Sequence, residues 1–140
     1  MGGYKHIEKC VGNYIAAHYT DAVEVGIGEN IAAAQILHNA GISLRSTDIH
    51  PFPHPGWLHF SVDDIFNPDI GKYEGAFVLY AIRPAEEMVP PLIALAQRLD
   101  CDLVVYHLGF ESYGNGGERI ECGVTLHRYH RGQKPSKSVD

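Results

Sequence analysis

The sequence predicts one α/β domain built on a doubly wound, mainly parallel sheet of five or six strands in three layers. Three observations predict it. Short apolar runs alternate with segments of helical spacing. A glycine pair, Gly26 and Gly28, follows the first run directly. Acids, Asp48 and then Asp63-Asp64, close the next two runs. Strands separated by helices must cross over, so they pair in parallel and are covered on both faces. The 140 residues suit a single domain whose core needs neither disulfide nor metal. That domain is expected over 1–130, with a flexible polar tail over 131–140.

Residues 4–19 carry Ile7, Val11, Ile15 and His18 at helical spacing, with Tyr14 beside them, and leave Lys5, Glu8, Lys9 and Asn13 outside the stripe. Thr20 and Asp21 end that helix. Residues 22–25 form an apolar run broken only by Glu24 and stopping at Gly26, which predicts a buried strand. Residues 29–39 hold Ile31, Ala32, Ala33, Ala34, Ile36 and Leu37 and predict a helix, with Gly41 as its stop. The second strand is expected over 42–47, ending at Asp48. Between His50 and Gly56, Pro51, Pro53 and Pro55 forbid a helix and stiffen a loop. Residues 57–62 predict a third strand and 75–82 a central fourth. Arg83 and Pro84 open a helix through Leu99, with Pro84 in its first turn and Glu86 and Glu87 favouring its N-terminus. Pro90-Pro91 inside that segment predicts two short helices or a kink. Residues 102–108 predict a fifth strand, 109–117 a glycine-rich loop and 123–130 the last strand.

Composition narrows the function classes. Hydrophobic residues make up 45% and charged residues 20%, as in ordinary folded domains. A net charge of -6 argues against a surface that coats nucleic acid. Cys10, Cys101 and Cys122 form no CxxC pair and no nucleophile motif; they read as structural thiols in a reducing, cytoplasmic setting. The first residues lack an apolar signal core, and no stretch reaches the roughly 18 apolar residues of a membrane span, so no membrane partner is expected.

The segment Val23-Glu24-Val25-Gly26-Ile27-Gly28-Glu29-Asn30 carries the most chemistry. A bulky cofactor can lie against backbone where a strand turns into a helix only if no Cβ stands in its way. Gly26 and Gly28 meet that need, and glycine also accepts positive φ. The following helix N-terminus offers N–H groups to an anionic part of a ligand. Asp48 ends the next strand, 20 residues past Gly28, at the spacing of a carboxylate that accepts ribose hydroxyls. A dinucleotide fingerprint needs a third glycine where Ile31 stands, so NAD or FAD fits poorly. A tight turn without a ligand is the bland alternative.

The acid-x-Gly-x-Gly form, Glu24 to Gly28, resembles motif I of the class I S-adenosylmethionine-dependent methyltransferases. Asp48 stands where that family has its ribose-binding acid. Asp63-Asp64-Ile65 resembles the family's acid after the third strand, which contacts the adenine amino group while the next backbone N–H reaches the ring. The resemblance therefore implies a Rossmann-like, methyltransferase-like fold. It implies S-adenosylmethionine as cofactor, held by Glu24, Gly26, Gly28, Asp48, Asp64 and Ile65. The likeness runs over about 22–108. Asn30 replaces the third motif I glycine, and the strand-four ending lacks the Asn/Asp-Pro-Pro-aromatic motif of amino-group methyltransferases. One strand is expected after Leu108 where that family has a hairpin pair. As a whole the chain also resembles a family of small uncharacterised archaeal proteins with a methyltransferase-like fold.

Other side chains compete for a role. Tyr80, Arg83 and His107 end strands four and five and are candidates for a substrate pocket. His107 has the titration range of a general base, or it simply packs. His50, His54 and His59 surround the proline loop, which reads as a lid or rim; a metal site there would need matched ligand spacing, and none is expected. Gly114 to Gly117 lacks the Lys-Ser/Thr ending of a phosphate loop. Arg128, Arg131, Lys134 and Lys137 form a basic end that RNA could touch, or a solvated tail. Three functions follow: an S-adenosylmethionine-binding protein that transfers methyl to an unspecified substrate, a non-catalytic module that binds a nucleotide or a protein partner, and an NAD-type oxidoreductase.

Overall fold

In a computed structural model that describes residues 3–134, seven strands form one open sheet. The strands are β1 (Asp21–Val25), β2 (Ser43–Asp48), β3 (His59–Val62), β4 (Val78–Ile82), β5 (Asp102–Tyr106), β6 (Glu118–Glu121) and β7 (Thr125–His130). Their order is β3-β2-β1-β4-β5-β7-β6. The first five pair in parallel, and β7 runs antiparallel to both β5 and β6. The helices are α1 (Gly3–His18), α2 (Ala32–Asn39) and α3 (Val89–Leu99), with short 3-10 turns at Ile70–Lys72 and Glu86–Met88. No helix among the described residues is long and apolar enough to cross a membrane.

The seventh strand corrects the expectation of five or six, and β6 with β7 supplies the hairpin pair where one strand was expected. The segment Glu118–Glu121 reads Glu-Arg-Ile-Glu and lies at the sheet edge, where charged side chains are the rule and apolar alternation is not needed. The central strands are legible for the opposite reason. In β1, β4 and β5 nearly every residue is buried, because helices cover both faces.

Alternate residues of those strands feed two cores. Val23, Val25, Leu79, Ala81, Leu103 and Val105 pack with Leu92, Leu95, Ala96 and Leu99 of α3. Ala22, Val78, Tyr80 and Val104 pack with Val11 and Ile15 of α1 and Ala33 and Leu37 of α2. The N-terminal helix is also held by polar contacts. Tyr19, just past its end, donates to Asp102 at 2.6 Å. Glu8, expected outside the apolar stripe, is instead 2% exposed. Its spacing to Val11 and Ile15 places it on the buried face, where it is tolerated because it is paired, as described below.

Two helix starts differ from the sequence reading. The second helix begins at Ala32 rather than 29, because the Asn30 side chain captures the Ala32 N–H at 3.0 Å and Gly28 turns the chain with φ +61°. The expected helix from Pro84 splits: Pro84 stays in the turn after β4, a 3-10 turn follows, and α3 starts at Val89 with Pro90 and Pro91 in its first turn. There their missing N–H groups cost no helical bond. Within the expected tail, the Gly132 and Gln133 N–H groups donate to Asp102 and Asp100, and Lys134 donates to the Ala76 carbonyl. Residues 135–140 lie outside the described residues.

Candidate functional site

The strand order reverses direction at β1, whose sequence neighbour β2 lies on one side and β4 on the other. In open α/β sheets, ligands bind beyond the carboxyl ends of the strands at such a point. An open cleft of about 220 Å³ lies there. It is lined by Gly26 after β1, Asp48 and Ile49 at the end of β2, Asp63 to Phe66 after β3, and Arg83 to Ala85 with Met88 after β4. Four successive parallel strands thus contribute one wall each.

At the first wall, Gly26 has φ +74° and Gly28 +61°, conformations that only glycine adopts cheaply. A Cβ on Gly26 would lie 3.5 Å from Met88 Cε, so the missing side chain leaves room in the cleft. Gly28 does not line the cleft; it holds the turn. Its N–H donates to Asp48 Oδ2 at 2.8 Å, and His54 Nε2 donates to its carbonyl at 2.8 Å. The His54 ring lies 4.4 Å from Phe60, and its Nδ1 is buried with no hydrogen-bond partner. The His-Pro loop is therefore tied down onto the glycine turn. Among the described residues no group of three or more His, Cys, Asp or Glu side chains could hold a metal.

Asp48 is shared between structure and cleft. Oδ2 accepts from Gly28 and Oδ1 from His50 N–H at 3.0 Å. Each carboxylate oxygen has a further lone pair, so both remain able to accept from a ligand. The two acids after β3 divide differently. Asp63 accepts from Tyr73 Oη at 2.6 Å and from the Asp69 N–H at 3.1 Å, which makes it a loop anchor. Asp64 accepts only a local bond, from the Phe66 N–H at 2.9 Å, and lines the cleft. The Ile65 side chain is buried in the α3-side core. Sequence reasoning missed Ile49 and Phe66, which stand 56% and 59% exposed on the cleft wall. The signal was available: each is a large apolar residue just past a strand-end acid.

Glu24 lies behind the cleft rather than in it. It is 3% exposed and accepts from Tyr80 Oη at 2.8 Å. Burial, with the nearby Glu8 charge adding to it, pushes its carboxyl up to about 8 against the Tyr80 hydrogen bond. Burial and the Glu24 charge raise the Tyr80 phenol far above its ordinary range. Tyr80 is 0% exposed, so it faces the α1–α2 core and not a substrate pocket. Arg83 does line the cleft, with φ +56°, a strained backbone for a side-chain-bearing residue. Its guanidinium forms two parallel bonds to Glu8, at 3.1 and 3.2 Å, and lies 5.7 Å from the Tyr106 ring centroid. The N-terminal helix thus reaches the cleft through one ion pair.

His107 lies away from these walls. It is buried, 2.6 Å from Tyr129 Oη, and burial followed by the neighbouring His127 holds it below its ordinary value. Tyr129 Oη also accepts the Tyr113 N–H at 2.8 Å, so His107 helps fold the glycine-rich loop back onto β7. The basic end is largely consumed by structure. Arg128 pairs with Glu118 at 2.8 Å and Asp102 at 3.6 Å, and Lys134 caps the Ala76 carbonyl. Lys137 lies outside the described residues.

A family model described as an uncharacterised protein family, UPF0146, matches residues 9–121, and the chain belongs to that family. Its relatives are archaeal. A UPF0146 protein of Pyrococcus horikoshii is 34% identical over 112 residues, covering 76% of this chain and 86% of the relative. One from Archaeoglobus fulgidus is 32% identical over 96 residues, covering 68% and 74%. One from Halobacterium salinarum is 32% identical over 101 residues, covering 72% and 78%.

Proposed function

We propose that this UPF0146 member has a doubly wound, Rossmann-like fold of the methyltransferase kind and binds S-adenosylmethionine in the β1–β4 cleft. One observation carries the reading: Gly26, Asp48 and Asp64, from three successive strand ends, line a single cleft at the switch in strand order. In this pose Asp48 accepts the ribose hydroxyls between its bonds to Gly28 and His50. Asp64 accepts the adenine amino group, and Ile49 and Phe66 flank the ring. Gly28 and Glu24 serve from behind, the first by fixing Asp48, the second by closing the core beneath the turn.

Charge favours this cofactor over a dinucleotide. Asp48, Asp63 and Asp64 line the cleft, and its one guanidinium, Arg83, is engaged with Glu8. A pyrophosphate would meet three carboxylates, whereas S-adenosylmethionine carries a net positive charge through its sulfonium and amino groups. At the α2 N-terminus the Ala32 N–H is already taken by the Asn30 side chain at 3.0 Å. Methyl transfer is an in-line displacement that rests on alignment of the sulfonium methyl with a nucleophile from a second molecule. A second reading, a binding module without chemistry, is favoured by a separate observation. Among the described residues no imidazole or phenol lines the cleft, and Tyr80 and His107 are both directed elsewhere.

Calorimetric titration with S-adenosylmethionine, S-adenosylhomocysteine and NAD tests the reading. Micromolar binding of the two sulfur ligands, weakened at least tenfold by Asp48→Asn or Asp64→Asn, is expected. Failure of both sulfur ligands to bind at millimolar concentration would end the proposal, and NAD binding alone would replace it with an oxidoreductase. If the sulfur ligands bind and no methyl moves to any acceptor, the module reading holds.

A further inference from the structure

The second core ends in a contact between α1 and the turn joining β6 to β7, and that contact holds two cysteines. Cys122 lies in this turn, whose Cys122 N–H bonds the Val124 carbonyl at 3.0 Å. Its thiol reaches the backbone carbonyl of Cys10 on α1 at 3.9 Å. The next residue, Gly123, has φ +101°, and a Cβ there would lie 2.8 Å from Cys10 Sγ and 3.9 Å from Cys10 Cβ. The Cys10 sulfur therefore occupies the space that glycine at 123 leaves empty. One turn earlier on the same helix face, His6 Nε2 lies 3.7 Å from that sulfur. The third cysteine, Cys101, is buried in the α3-side core. Both Cys10 and Cys122 are partly accessible.

We propose that Cys10 and Cys122 are a redox pair that closes to an intramolecular disulfide when the protein meets a peroxide. The resting state is the dithiol. His6 takes the Cys10 proton, and the sulfur attacks the peroxide O–O bond, which breaks to give a Cys10 sulfenic acid and one water. The Cys122 thiol then attacks the Cys10 sulfur, the S–O bond breaks and a second water leaves. Two thiols have given up two electrons and two protons, and the peroxide has become two waters. Burial raises the Cys122 thiol, which suits it to the resolving role rather than the first attack. The bond would tie the hairpin turn to the helix that carries Glu8, two residues before Cys10, and so to the ion pair that reaches the cleft.

Intact mass under non-reducing conditions after hydrogen peroxide treatment, followed by peptide mapping, is the test. The expected result is a monomer lighter by two hydrogens, with one linked peptide pair joining Cys10 to Cys122, reversed by dithiothreitol. The Cys101→Ser protein should behave the same, and Cys10→Ser and Cys122→Ser should each lose the link. Because the bond closes a loop of about 110 residues, the oxidised monomer should melt roughly 10 °C higher than the reduced one. His6→Ala should form the link several-fold more slowly. Three free thiols after treatment, a disulfide-linked dimer, or Cys10 carried to sulfinic acid beside an untouched Cys122 would each overturn the proposal.

Discussion

Glu24→Gln isolates a carboxyl whose titration the fold displaces far from its ordinary range. Burial raises Glu24 from an ordinary 4.5 to about 8. In the unfolded chain the same group ionises near its ordinary value, so between those limits the native state holds one proton more than the unfolded state. Stability then falls as pH rises, by about 1.4 kcal/mol per unit inside the window. Below the ordinary value both states are protonated and above about 8 both are ionised, so the slope vanishes outside it. Glutamine keeps an acceptor for Tyr80, which donates at 2.8 Å, and removes the proton. The Tyr80 phenol, which the Glu24 charge helps to raise, titrates far above this window, so within it the difference between variant and wild type reads Glu24. Urea unfolding followed by circular dichroism at about pH 5.5 and about pH 7.5 should show the variant gaining on the wild type by about 3 kcal/mol between the two. An unchanged difference would refute the reasoning, because it would mean that Glu24 is ionised in the native state across the whole range.

Glu8→Gln should lower stability by about 3 kcal/mol, read from the urea midpoint, because it leaves the Arg83 guanidinium without its anionic partner on α1; a loss under about 1 kcal/mol would show that the pair is no more than a surface ion pair. Gly28→Ala should cost about 1 kcal/mol, since no atom lies within 4 Å of the new Cβ and the penalty is the φ of +61° alone. A much larger loss would mean that the turn and its bond to Asp48 come apart, which the amide resonance of residue 28 would report. Asp63→Asn should lower stability without a tenfold loss of S-adenosylmethionine affinity, in contrast with Asp64→Asn, because Tyr73 and the Asp69 N–H already occupy it.

What the sequence disclosed and what it hid divide along physical lines. The central strands announced themselves because burial on both faces demands unbroken apolar runs, as in Val78–Ile82. An edge strand carries no such demand, so Glu118–Glu121 left no signal. Strand-end acids were readable because chain position alone puts Asp48 and Asp64 at the carboxyl edge. Side-chain direction was not. Tyr80 lies in register with Glu24 across β1 and β4 and points into the α1–α2 core, and one residue of strand phase separates that face from the other. Glu8 was concealed by its charge: the same helical spacing that buries Val11 and Ile15 buries it too, and only the tertiary partner Arg83 makes that tolerable.

The acids that a sequence reading assigns to a ligand are also the residues that build the site. Asp48 bridges the glycine turn to the His-Pro loop, and His54 bridges them a second time through the Gly28 carbonyl. Asp63 and Asp64 each bind backbone N–H groups of the loop that carries Phe66. The loops at the mouth are therefore fixed by their own hydrogen bonds before any ligand arrives, and the entropy of ordering them is already spent in folding. A ligand gains from this only if it accepts the geometry offered: hydroxyls or amino hydrogens directed at half-occupied carboxylates, an apolar ring beside Ile49 and Phe66, and no strong negative charge. That set of demands, more than the glycine pattern, separates an adenosyl sulfonium from a pyrophosphate.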